Sequence, residues 1–94
     1  MEIIVPKTFE LLGRNYKVVQ VPKIDNERSC GICYSDEGII KLRKNLKKEL
    51  KEHTFLHEAT HAILESLGYD KLSGNEQFVD SFSNALYQVL KTAK

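Results

Sequence analysis

The sequence is short of cysteine, of long apolar runs and of any excess charge, and each shortage excludes something. No apolar stretch approaches the ~20 residues a membrane span needs. Met1-Glu2-Ile3-Ile4-Val5-Pro6 has no basic lead-in and too short an apolar run for a signal peptide. The expectation is a soluble, cytoplasmic protein without a membrane partner. Fourteen Lys and Arg stand against thirteen Asp and Glu, a net charge of +1, which argues against a general nucleic-acid binder. There are no internal repeats and no low-complexity segments.

The two cysteines, Cys30 and Cys33, form C-G-I-C. A structural zinc site would need a second ligand pair, and no other cysteine exists. A redox pair would sit where a strand feeds a helix, but the turn-like Tyr34-Ser35-Asp36-Glu37-Gly38 follows. Reduced thiols on a strand, facing opposite sides, are the expectation.

Ninety-four residues suit one compact domain spanning 1–94. A chain this size has a modest core that a bound metal would help to hold. Its first half is strand-like. Phe9–Leu12 and Tyr16–Val21 read as strands around Gly13-Arg14-Asn15. Pro22–Ser29 is a polar connector containing Asp25, Asn26, Glu27 and Arg28. Cys30–Ser35 and Gly38–Arg43 form a second hairpin about Asp36-Glu37. The second half is helical. Lys47–Leu67 reads as a long helix capped by Asn45 and ended by Gly68, burying Leu50, Phe55, Leu56, Ala59, Ala62, Ile63, Leu64 and Leu67 to varying degree. Tyr69–Gly74 reads as a connection. Ser73 is placed to cap a last helix from Asn75 to about Lys91, with an apolar stripe of Phe78, Phe82, Ala85, Leu86, Val89 and Leu90. The basic run from Lys41 to Lys51, interrupted by Glu49 and Glu52, reads as a solvated helix face. The fold class expected is α+β, a small antiparallel or mixed sheet of three to four strands packed on two C-terminal helices.

Within the long helix stands His57-Glu58-Ala59-Thr60-His61. A helix turns every ~3.6 residues, so His57 and His61 project from one face and can grip one zinc ion at ~2.0–2.1 Å each. Glu58 stands to the side of that pair, where it can act as general base. By composition alone the pattern arises in roughly one chain of this length per hundred, so context has to support it. A catalytic zinc usually has a third protein ligand. Glu76, at the start of the second helix, is the candidate. Asp80, four residues on, shares its face and can accept the free ring N–H of His57 or His61. A competing role for Glu76 is a capping box in Ser73-Gly74-Asn75-Glu76. His53 lies too far along the axis to ligate the same ion as His61, and reads as a partly exposed helix residue.

H-E-A-T-H followed by N-E-x-x-x-D resembles the gluzincins, the thermolysin-like zinc metallopeptidases with glutamate as third ligand. The outline over about residues 30–90 is similar to small phage-type metallo-endopeptidases of the ImmA/IrrE group. The resemblance implies His57, His61 and Glu76 as ligands, Glu58 as general base and Asp80 as the carboxylate behind the ligands. It implies a peptide or protein substrate laid as an added strand along Gly31-Ile32-Cys33. Larger members use a His or Tyr to stabilise the oxyanion. No His follows His61, which leaves Tyr34, Tyr69 and Tyr87 as candidates. The alternative to an enzyme is a zinc-bearing module that binds a partner peptide along its edge strand. The oligomeric state is not legible.

Overall fold

The structure, a computed structural model, describes residues 3–24 and 29–94. The polar residues expected to form the connector, Asp25, Asn26, Glu27 and Arg28, lie outside the described residues. The fold is α+β, with the strands in the N-terminal half and the helices at the C-terminus, as expected.

Strands β1 (Thr8–Leu11) and β2 (Arg14–Val21) form an antiparallel hairpin. Its turn is Leu12-Gly13, not residues 13–15. Both turn residues have positive φ, 52° and 81°. Two such residues match the right-handed twist of the flanking strands, so Leu12 leaves the strand and Arg14 and Asn15 join it. Strands β3 (Gly31–Tyr34) and β4 (Ile39–Arg43) form the second hairpin. β4 also pairs with β2 in parallel, Val18 opposite Ile40, which gives a mixed four-stranded sheet in the order β1-β2-β4-β3. β3 is therefore an edge.

Alternation along the two central strands sets one buried face. Tyr16, Val18, Ile40 and Leu42 are buried, and Phe9 stacks on Tyr16 with ring centroids 5.1 Å apart. Helix α1 (Lys48–Ser66) covers this face with Phe55 and Ala59. Gly31 lies where β3 passes α1: a Cβ there would stand 2.7 Å from Thr54 Cγ2 and 3.1 Å from Leu42 Cδ2.

The start of α1 departs from expectation. Lys47 is its N-cap and makes no side-chain cap bond, so Asn45 does not cap it. Asn45 falls two residues too early, and Lys47 through Leu50 are exposed, so the first turn lies open to solvent. Gly68, at φ 86°, ends the helix as expected, with its N–H bonded to Glu65 O and that of Tyr69 to Leu64 O. Leu50 and Leu67 are about half exposed, less buried than an apolar pattern suggests.

Residues Asp70–Ser73, expected as irregular connection, form a short helix α2. Helix α3 (Glu76–Thr92) follows, and its cap is Asn75, whose side chain accepts from Phe78 N at 3.1 Å. Ser73 caps nothing, because its hydroxyl is turned to α1. Helix α3 packs on α1, which itself packs on β3 and β4, so the helices make two successive layers rather than a pair on the sheet. The residues that α3 buries are Val79 and Ser83. Phe82 and Val89, in the expected apolar stripe, are 47% and 60% exposed. The face presented to α1 carries Glu76, Asp80 and Tyr87, so polar pairing sets the rotation of α3. Glu52, expected on a solvated face, is 1% exposed and receives Tyr87 Oη at 2.9 Å and Lys91 Nζ at 3.5 Å. Among the described residues no helix is long and apolar enough to cross a membrane.

Candidate metal centre

Helix α1 turns His57 and His61 to the same side, with ring centroids 5.0 Å apart. The first turn of α3 crosses in front of them. Glu76 Oε2 stands 3.4 Å from His57 Nε2, and Glu76 Oε1 stands 3.2 Å from His61 Nε2. One ligand atom from each of the three residues lies within 4.8 Å of the others.

The outer ring nitrogens are engaged away from the cleft. His57 Nδ1 lies 2.9 Å from Asp80 Oδ1, so of the two histidines open to Asp80 by spacing, the fold selects His57. His61 Nδ1 meets Ser73 Oγ at 2.9 Å. Both Nε2 atoms face the Glu76 carboxylate across the cleft. A metal cation or a ring proton between the imidazoles and the carboxylate satisfies these contacts. Each imidazole Nε2 lies 3.2–3.4 Å from an oxygen of Glu76, close enough for the three side chains to share one ion. The donor set, two imidazoles and one carboxylate, suits zinc.

Glu58 lies beside the pair, 8% exposed, its Oε2 4.0 Å from His57 Nε2. Burial, reinforced by the nearby Glu76 and Glu65 charges, pushes its carboxyl up to about 7. It lines a cleft of about 560 Å³ with His57, His61, Glu76 and Asp80. The opposite wall includes Gly31, Ile32 and Cys33 of the edge strand.

Cys30 and Cys33 are free thiols. Both residues line this cleft, and Cys33 also packs against the buried core of the sheet. Burial raises the Cys33 thiol to about 11, so it stays protonated. The three tyrosines do not line the cleft. Tyr34 lies beneath Lys41 Nζ, 5.3 Å from the ring centroid. Tyr69 is 58% exposed at the start of α2, and Tyr87 donates to Glu52. His53 does line the cleft, its ring 4.7 Å from that of Tyr87.

Sequence reasoning missed Ser73 and Glu65 as parts of the site. Ser73 Oγ donates to Glu65 Oε2 at 2.7 Å while touching His61. Glu65 is four residues after His61 and so shares its helix face, a signal that was available. The position of Ser73 was not, since it depends on how α2 folds back.

No protein-family model matches the chain, and no curated protein or solved structure matches it.

Proposed function

We propose that this chain is a zinc-dependent metallopeptidase whose residue roles follow those of the gluzincins. The observation that carries the reading is the convergence of His57 Nε2, His61 Nε2 and the Glu76 carboxylate beside the buried Glu58. These three ligands would hold one zinc ion. Zinc supplies Lewis acidity there and lowers the pKa of a coordinated water to ~7.

The protein's own groups account for the rest. Glu58 takes a proton from water in the cleft and passes it to the leaving amine. In the metal-free chain its carboxyl is pushed up to about 7 by burial, and a zinc ion beside it would favour the ionised form that accepts the proton. Asp80 keeps the His57 ring oriented. β3 pairs with β4 on one side and borders the cleft, so an extended peptide can add to Gly31-Ile32-Cys33 as a further strand. His53, one turn before His57, lines the same cleft and would be the imidazole available to a scissile carbonyl oxygen. The two free thiols at the cleft wall suit a reducing, cytoplasmic compartment.

The test is direct. Protein purified without a histidine tag should carry one zinc per chain by elemental analysis and cleave extended peptides. Glu58→Gln should keep the zinc and lose turnover by about 10²–10⁴-fold. A chain that takes no zinc, or a Glu58→Gln variant with full cleavage, rules out the reading. Stoichiometric zinc with no cleavage of a diverse peptide library points instead to a module that captures a peptide along β3.

A further inference from the structure

Two hydroxyls converge on one carboxylate behind the proposed ligands. Ser35 Oγ donates to Glu65 Oε1 at 2.6 Å, and Ser73 Oγ donates to Glu65 Oε2 at 2.7 Å. Both are short, well-formed hydroxyl hydrogen bonds. Each hydroxyl has one proton, and its hydrogen bond to Glu65 uses it. Ser73 Oγ can therefore only accept at its contact with His61 Nδ1, and the ring must donate. On the other side Ser35 Oγ lies 3.5 Å from Cys33 Sγ and is left to accept from the thiol. The chain of bonds runs inward from both ends, His61 to Ser73 to Glu65 and Cys33 to Ser35 to Glu65. It joins α1, α2 and the end of the edge strand, and Ser73 within it is 4% exposed.

From this geometry we infer that Glu65 is a positioning residue: through Ser73 it holds His61 in the Nδ1–H tautomer, and through Ser35 it ties that ligand to the edge strand lining the cleft. The inference rests on the metallopeptidase reading for its purpose but not for its test. The Nδ1–H tautomer keeps the Nε2 lone pair free, whereas the opposite tautomer would place a proton where a metal belongs. Acidic partners behind metal-binding histidines commonly tune affinity by 10–100-fold. Here the acid acts through a serine: Glu65 is signalled by its spacing of four from His61, but Ser73 is not.

The tautomer is read by ¹⁵N NMR of imidazole-labelled, metal-free protein at about pH 8.5, where an ordinary imidazole is neutral. In the wild type His61 should be protonated at Nδ1, and protonation at Nε2 overturns the inference. Glu65→Ala should mix the tautomers and weaken zinc binding by about 10–100-fold in a competitive chelator titration. Glu65→Gln, with one accepting oxygen in place of two, should fall between. Ser73→Ala should reproduce the loss with Glu65 in place, and carries the test if Glu65→Ala fails to fold. The double variant should bind no more weakly than Ser73→Ala alone, because the acid acts through the serine. Additive losses, or a Glu65→Ala protein with wild-type tautomer and affinity, overturn it. A wild type that takes no zinc removes the metallopeptidase reading and leaves the tautomer to decide this one.

Discussion

His57 on α1 and Asp80 on α3 meet at 2.9 Å, ring Nδ1 to carboxylate Oδ1, and the contact joins the two helices behind the proposed metal centre. Asp80 is 62% exposed at its side chain, so the contact contributes little to stability by itself. Its consequence lies in the orientation of the ring.

Asp80→Ala should therefore weaken zinc binding by about 10–100-fold while leaving the metal-free melting temperature close to wild type. A chelator titration followed by thermal melts separates the two effects. An unchanged zinc affinity would show that the His57 ring is held by packing alone.

The Glu58 carboxyl gives the metal-free protein a pH dependence. An acid whose folded-state pKa lies above its unfolded one favours folding when protonated. That contribution is fully present below 4.5 and is lost as pH rises through about 7. With zinc removed, stability should fall between about pH 5 and about pH 8, by at most about 3 kcal/mol from this group. Glu58→Gln cannot ionise and should flatten the curve. Denaturant unfolding at both pH values checks this, and identical slopes for the two proteins would contradict it.

Gly31 has no room for a methyl group between Thr54 and Leu42. Gly31→Ala should destabilise by about 1–3 kcal/mol, the usual cost of overpacking. Because β3 forms a wall of the cleft, the same substitution should also weaken peptide binding. Denaturation midpoints and peptide titration report on the two effects separately.

On α3 the buried and the apolar faces differ, and a pair of valines tests it. Val79 is fully buried, whereas Val89 is 60% exposed. Val79→Ala should cost about 1–2 kcal/mol, and Val89→Ala should stay within about 0.5. Equal losses would mean that α3 is rotated about its axis from the orientation described.

The fold class and much of the candidate centre were legible because they rest on short-range rules. Gly68 ends α1 through a conformation glycine adopts freely, and strand-like composition marked Tyr16–Val21, which lies within β2, as strand. Errors arose where a local rule competed with tertiary contacts. Asn45 and Ser73 both have capping chemistry, yet one lies outside the helix start and the other is drawn to Glu65. Glu52 sits in a run of charges, but Tyr87 and Lys91 from α3 make it a buried acceptor. The apolar stripe of α3 has helical periodicity, but the acids and Tyr87 that pair with α1 turn much of it to water.

What the sequence determined by itself was the pairing of His57 with His61, the place of Glu58 beside them, and a carboxylate pair one turn apart in Glu76 and Asp80. Helical periodicity spans four residues and needs no other part of the chain. The tertiary structure alone decided that Glu76 faces both Nε2 atoms, that Asp80 takes His57, and that Ser73 and Ser35 reach Glu65 behind His61. Those relationships depend on how α2, α3 and the end of β3 meet α1, over separations that no local period reaches.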